Sequence, residues 1–512
     1  MWILDELKNK KAIEDSFAII HRDSKITYRD LWDHSEKIAH WMEVNLNTDA
    51  PVLIYGNKDI EIVIVMIAAL KTGRAYVPID VTFPIDRVRK IAEITDAEVL
   101  FDMTNEREFI NELKMLKKVI DKSSIKSIIR QIKIEKNIDE SKWVKDIDNC
   151  YILFTSGSTG EPKGVQISKN NIINFVDWFC KYADVAGQVV LNQVSYSFDV
   201  SVIQLYIYLS LGKTLFCIDK DMVSDFGSLF QFLGSSNISA WVSTPAFIEM
   251  CAVYDVFDRK LLSGLKKVIL AGEVLTKKLV AVLWEKFPGI EVINGYGPTE
   301  GTVLLTCCSI NNEMMNDSEH ELPIGYILDG GKYLIDFTVD NTDGESLDKN
   351  DEKGELVVSS KSISRGYYKN PEATRNNFFT DKEGQLFYRT GDIVYETDDL
   401  IYYCGRKDYQ VKLNGYRIEL DDISENINKI DCISNNVVLP VYRDGRIAYI
   451  AAFVSLNRDL ALSASKTSIY IRKKLSYLIP SYMIPKKIIA LDKFPLNVNG
   501  KIDRKLLRDT YL

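Results

Sequence analysis

The sequence predicts an α/β protein with a large N-terminal domain of helix-covered sheets, a β-rich subdomain, and a small C-terminal α+β domain. Three observations carry that reading. Apolar, strand-like runs alternate with helical stretches as far as Gly354; beyond it the texture turns to short strands and turns; and the last hundred or so residues open on an alternating pair across an Asn-Gly dipeptide. The 512 residues are enough for two or more domains, and the division is expected between a 1–405 domain and a 406–512 domain.

Taken in order, IEIVIVMIAALKTG (Ile60 to Gly73) reads as a buried helix with Gly73 near its end, and AYVPID reads as the strand after it. From Glu106 to Asn149 the chain is rich in Lys, Glu and Ile, as in peripheral helices and strands with solvated faces, and no chemistry is expected there. From Tyr151 onward YILF, GVQIS, VVLNQVS, SAWVSTP, KKVILAGE and EVINGYG are β-rich runs separated by helical stretches such as NNIINFVDWF. Such alternation implies parallel sheets covered by helices, with functional loops at the strand ends. GELVVSS, RGYYKN, FYRTGDIVYE and LIYYCGR form the smaller β-rich region. QVKL and YRIEL then flank Asn414-Gly415, the composition of a type I′ hairpin. Asp421 is placed to cap the next helix, whose Ile423, Ile427 and Ile430 share a face.

Composition removes several classes of function. The 64 Lys and Arg against 72 Asp and Glu leave a net charge of -8, so no overall basic field exists for nucleic acid or an anionic membrane. The longest apolar run, Ile62 to Leu70, is too short to span a bilayer, and the N-terminus has no uninterrupted apolar segment, so a cytoplasmic protein without membrane insertion is expected. The eight cysteines, from Cys150 to Cys432, lack C-x-x-C spacing and read as reduced thiols. His21, His34, His40 and His320 stand beside no nucleophile signature, which makes a Ser-His-Asp hydrolase a poor fit.

One loop asks for a ligand. TSGSTGEPKG, Thr155 to Gly164, lies between two strand-like runs; its backbone N–H groups, the hydroxyls of Ser156, Ser158 and Thr159, and the charge of Lys163 suit β- and γ-phosphates. It lacks the G-x-x-x-x-G-K-[ST] spacing of a P-loop NTPase, so a different ATP chemistry is indicated. Alone, the loop is also compatible with a glycine-rich turn that holds nothing.

Further segments follow in a fixed order: NGYGPTE (Asn294 to Glu300), YRTGD (Tyr388 to Asp392), YCGRKDYQVKLNGYRIEL (Tyr403 to Leu420) and NGK (Asn499 to Lys501). Over nearly the whole length, the chain resembles the adenylate-forming superfamily of acyl-CoA synthetases, luciferases and peptide-synthetase adenylation domains. The resemblance implies ATP and Mg²⁺ as cofactors. By that likeness Glu300 helps hold Mg²⁺ and Tyr296 stacks on adenine. Asn294, Gly295, Gly297, Pro298 and Thr299 belong to the same nucleotide-binding segment, as Thr155 belongs to the phosphate loop. Asp392 takes the ribose hydroxyls, Arg406 is a second ribose contact near the domain boundary, and Tyr403 belongs to the same nucleotide-binding set. Lys501 is expected to be the catalytic lysine, an ammonium between substrate carboxylate and α-phosphate that offsets the repulsion of two anions, with Lys163 a helper. Asp408 matches the hinge about which a mobile small domain rotates, bringing the hairpin of Lys412 and Gly415 to the pantetheine arm of a thiol.

The stretch SYSFDVSVIQLY, Ser195 to Tyr206, separates subfamilies. Asp199 stands where amino-acid-activating members of the superfamily pair an aspartate with the substrate ammonium, and a buried ammonium requires such a partner. Positions matching the pocket lining are Val200, Ile203, Val242, Ile269, Ala271, Gly295, Val303 and Leu304, all apolar or small, which implies a small or aliphatic neutral amino acid. SFDVS, CIDKDM (Cys217 to Met222), AWVSTPAFIEMC (Ala240 to Cys251) and AGEVL (Ala271 to Leu275) are most similar to the ligases that load D-alanine onto a carrier protein. Those ligases usually carry Cys at the position of Ala271 and a bulkier residue, often Thr, at that of Gly295; both changes are expected to enlarge the pocket. A stand-alone peptide-synthetase adenylation enzyme for a larger aliphatic amino acid therefore stays open, as do an acyl- or aryl-CoA ligase and a silent nucleotide-binding protein. With no carrier-protein serine motif or condensation-domain histidine motif in the sequence, the expected acceptor is the phosphopantetheine thiol of a separate carrier protein, and the resemblance implies a monomer.

Overall fold

A computed structural model describes residues 1–10, 16–104, 113, 116–157, 160–338, 353–443, 446–457, 462–495 and 502–512. Ser158, Thr159 and Lys501, singled out above, lie outside the described residues. The chain divides into two compact units, one of Met1–Asp80, Ala92–Leu153 and Gly164–Asp408, the other of Val81–Ile91, Phe154–Lys163 and Tyr409–Leu512. Toward the C-terminus the larger unit runs to Asp408, with Arg406 the strand partner of Asp392. The loop Phe154–Lys163 groups with the C-terminal residues.

Among the described residues, one sheet has six strands in the order Lys118–Asp121, Val99–Asp102, Val52–Gly56, Tyr76–Asp80, Asn149–Thr155 and Lys163–Ser168. Val52–Gly56 and Tyr76–Asp80 run parallel, so a crossover is required, and the helix Ile60–Lys71 supplies it. That helix is apolar nearly all round and is buried from Ile62 to Lys71, as befits an element covered on every side. Gly73, at φ +72°, takes the left-handed conformation that ends it.

A second sheet has nine strands, in which Ile238–Ser243, Lys267–Ala271 and Glu291–Tyr296 lie side by side and parallel. Alternation assigns its two faces. Val242, Ile269, Ala271 and Ile293 enter the core that also holds Ile54, Tyr76 and Phe175, whereas Trp241, Val268, Leu270 and Val292 pack with Leu279 and Leu283 of the helix Lys277–Lys286. Helices therefore cover both faces, which is why these strands are apolar at consecutive positions. A third sheet is built around Leu386–Thr397, which pairs antiparallel with Gly354–Ser359, Phe378–Thr380 and Leu400–Arg406.

In the smaller unit, the strands Gln410–Leu413 and Tyr416–Glu419 meet at Asn414 and Gly415, whose φ values of 52° and 82° are those a type I′ turn needs. Ile418, Ile423, Ile427 and Ile430 pack with Ile471 and Leu475 in its core. The helix Leu420–Asn428 corrects one expectation: its cap is Glu419, with no side-chain cap bond, and Asp421 lies inside the first turn. There its charge meets the positive end of the helix instead. Among the described residues, no helix is long and apolar enough to cross a membrane.

Candidate active site

The segment NGYGPTE leaves the second sheet at the carboxyl end of Glu291–Tyr296, the edge at which open α/β sheets place ligands. Asn294 Nδ2 donates to the Pro323 carbonyl at 2.8 Å, and the Leu305 N–H donates to the Tyr296 carbonyl at 2.7 Å, closing the loop on itself. Between them Thr302 and Val303 have φ of 58° and 74°. Left-handed backbone in two consecutive β-branched residues costs about 1–3 kcal/mol each, and such strain gathers at functional sites. Nothing in the sequence announced this turn. Its consequence is that Leu304 folds back on Gly295: a Cβ there would lie 2.9 Å from Leu304 Cδ1. The space expected to open at Gly295 is thus filled by Leu304. Ala271, the strand neighbour of Gly295, is fully buried.

Glu300 is wholly buried in the short helical turn Thr299–Gly301 that follows Pro298. Its Oε1 accepts from Tyr367 Oη at 2.7 Å and its carbonyl accepts from the Ser364 N–H at 2.7 Å. Tyr367, from RGYYKN, is a partner that sequence reasoning missed.

Asp392 and Arg406 face each other across two antiparallel strands, with Arg406 Nη1 donating to Asp392 Oδ1 at 2.9 Å and to the Thr390 carbonyl at 3.0 Å. The rest of the guanidinium forms a two-pronged contact with Asp408, Nε and Nη2 each 2.7 Å from a carboxylate oxygen. Gly391, at φ +73°, makes room for it: a Cβ would lie 2.6 Å from Arg406 Nη2. Tyr296 Oη donates to the other oxygen of Asp392, and burial, reinforced by that carboxylate, pushes the phenol well above its usual range. Tyr403 is half-buried on the strand beside Val394. One motif thus reaches the next through Tyr296, Asp392, Arg406 and Asp408.

The apolar positions also converge. Val200, Ile203, Val242, Ile269, Ala271, Val303 and Leu304 belong to one buried cluster together with Tyr296. Asp199 is half-buried where the loop Ser195–Phe198 passes into helix, its carbonyl accepting from the Val202 N–H at 2.8 Å. Its charge reaches the buried Tyr151 phenol, whose pKa burial already raises and Asp199 raises further.

Of the phosphate loop, Thr155, Ser156 and Lys163 lie in the smaller unit, and at Ser156 one expectation changes. Ser156 Oγ donates to the Arg417 carbonyl at 3.2 Å and accepts from the Glu419 N–H at 3.0 Å, so this hydroxyl ties the loop to the hairpin backbone. Thr155 Oγ1 is 3.5 Å from the Lys163 carbonyl, and Lys163 begins the strand Lys163–Ser168. Lys412 stands across the hairpin from Arg417, and Gly415 is in its turn.

The AMP-binding enzyme family matches residues 6–368. The chain belongs to the AMP-binding enzyme family. Among relatives of this family member, the D-alanine–D-alanyl carrier protein ligase of Bacillus cytotoxicus is 37% identical over 511 residues, 99% of each chain. The Vibrio cholerae adenylation domain AlmE, solved in complex with glycyl-adenosine-5'-phosphate, has the same fold, with a TM-score of 0.81 at 21% identity over 99% of this chain and 96% of that one. A peptide-synthetase (NRPS) protein containing adenylation and PCP domains gives a TM-score of 0.79 at 22% identity, covering 100% of this chain and 84% of that one.

Proposed function

We propose that this AMP-binding enzyme is an AMP-forming ligase that activates a small neutral amino acid, D-alanine first, and transfers it to the phosphopantetheine thiol of a separate carrier protein. The observation that carries the proposal is end-to-end similarity to a D-alanine–D-alanyl carrier protein ligase, 37% identical over 99% of both chains. Asp199 beside an apolar, closely packed wall supports an amino acid of small side chain, since Leu304 takes up the room at Gly295 that a larger substrate needs.

The residues present fit the nucleotide. Asp392 accepts one bond at each oxygen, from Tyr296 and Arg406, and a carboxylate oxygen has lone pairs for more, as two ribose hydroxyls require. Arg406, clamped by Asp408, fixes the plane of that carboxylate. Mg²⁺ is usually held by one or two carboxylates plus phosphates rather than by a protein cage, and Glu300 offers one carboxylate oriented by Tyr367. When bound there, the ion would neutralise charge on the phosphates.

In the first half-reaction the amino-acid carboxylate attacks the α-phosphorus, and the bond to pyrophosphate breaks. Asp199 pairs with the substrate ammonium and so fixes which carboxylate oxygen is presented. Lys501 offsets the repulsion between carboxylate and α-phosphate, while the loop of Thr155, Ser158, Thr159 and Lys163 serves the departing pyrophosphate. In the second, a thiol attacks the acyl carbon, losing its proton as AMP leaves, with Lys412 and Gly415 on the face that admits the pantetheine arm and Asp408 at the hinge. Exchange of labelled pyrophosphate into ATP, run over a panel of D- and L-amino acids, tests the reading. D-alanine should give the fastest exchange; exchange with fatty or aryl acids and with no amino acid would refute it.

A further inference from the structure

Lys58 is a wholly buried lysine that none of these roles uses. It lies in the turn just past the carboxyl end of the strand Val52–Gly56, in the six-stranded sheet. Its ammonium reaches the carboxyl end of a strand of the nine-stranded sheet, Val189–Asn192, donating to Asn192 Oδ1 at 2.7 Å. It also donates to the Val194 carbonyl and sits 3.8 Å over the Tyr196 ring. Both hydrogen bonds of the amine thus go to neutral oxygens, and the charge of Asp80 acts on it without a hydrogen bond. Asn192 is held in turn, its Nδ2 donating to Tyr196 Oη at 2.9 Å and to Cys217 Sγ at 3.3 Å.

The hydrogen bonds and the ring contact of this amine all fall on residues 192–196, a few residues before Asp199. The same stretch is tied at two other points: Ser195 Oγ donates to Asp80 and Ser197 Oγ to the Pro78 carbonyl at 3.0 Å. We infer that Lys58 is a positioning residue for amino-acid recognition, holding the loop 193–198 so that Asp199 meets the substrate ammonium. The inference rests on Asp199 having that role. A buried amine without an anionic partner destabilises a fold, so a purely structural purpose would be served better by an apolar side chain of similar length. Here the donor count is what matters: one ammonium satisfies a side-chain amide, a backbone carbonyl and a ring face, which a methionine cannot do.

The test compares Lys58→Met, Lys58→Gln and Asp199→Asn in amino-acid-dependent pyrophosphate exchange, with melting temperature recorded alongside. Lys58→Met should raise the KM for D-alanine by about tenfold while the KM for ATP holds. Lys58→Gln, which keeps a donor, should fall between, and it carries the test if the methionine variant does not fold. A D-alanine KM unchanged in Lys58→Met, or a fall in melting temperature with both KM values moving together, would overturn the inference. If Asp199→Asn leaves the D-alanine KM unchanged, the reading of the site itself fails; if it raises that KM and Lys58→Met does not, only the role of Lys58 fails.

Discussion

Two wholly buried lysines stand at opposite ends of the helix Ile60–Lys71, one before its first turn and one in its last, and their charges are met in opposite ways. Lys71, in its last turn, lies 2.9 Å from Glu36 Oε1, donates to Ser35 Oγ at 2.8 Å and stands 3.3 Å over the Trp32 ring. Lys58, before its first turn, has neutral acceptors and a ring; burial pushes its pKa down to about 7, against the pull of Cys217 and Asp80. At one end, then, a buried charge is neutralised within the scaffold. At the other a buried charge is left costly, and it is the one that touches the loop leading to Asp199. Scaffold and site differ here in whether stability or placement is served.

Breaking the scaffold pair should have the largest effect. Glu36→Ala leaves Lys71 buried without its anion and should cost about 3–5 kcal/mol in urea unfolding, with the KM for D-alanine unchanged in the folded fraction. A cost under about 1 kcal/mol would mean that the pair is not what compensates Lys71.

The Lys58 end makes a pH-dependent prediction. Unfolded, the amine keeps its proton until about pH 10.4, whereas in the folded state it releases it near pH 7, so the unfolded state binds more protons between those values. Stability from this group therefore rises with pH, by about 2 kcal/mol between pH 7 and pH 9. Burial also raises the pKa of Cys217 and of Tyr196, which face the amine, and those groups act in the other direction. The measurement is accordingly the difference between wild type and Lys58→Met across that range: it should move in favour of wild type as pH rises.

Gly295→Ala should be smaller, at about 1–3 kcal/mol, because the methyl displaces a side chain rather than strands a charge. With Leu304 forced toward the substrate, the KM for D-alanine should rise; a variant that instead accepted larger amino acids would show that Leu304 does not limit the pocket.

Much of this was legible in the sequence where local rules dominate. The helix from Ile60, its ending at Gly73, the hairpin at Asn414-Gly415 and the strand-end position of NGYGPTE all follow from periodicity and turn chemistry that neighbours do not override. What escaped were interactions decided by distant residues. Lys58, in GNKD, carries no local signal of its burial, because Asn192 and Val194, more than 130 residues on, enclose it. Ser156 reads as a phosphate donor until the hairpin backbone claims its hydroxyl. Gly295 reads as added space because the left-handed pair Thr302 and Val303, which turns Leu304 onto it, has no glycine to mark it. Asp421 reads as a cap although the preceding strand runs on to Glu419 and takes the position first.

The central claim is that this AMP-binding enzyme recognises an amino acid through its ammonium at Asp199, and pyrophosphate exchange with D-alanine and with propionate, in wild type and in Asp199→Ala, tests it most directly. Propionate keeps the carboxylate and methyl but brings no ammonium to the half-buried Asp199, so wild type should favour D-alanine by about 100-fold or more and the variant should lose most of that preference. Equal exchange with both acids in wild type, or a preference that survives Asp199→Ala, would contradict it.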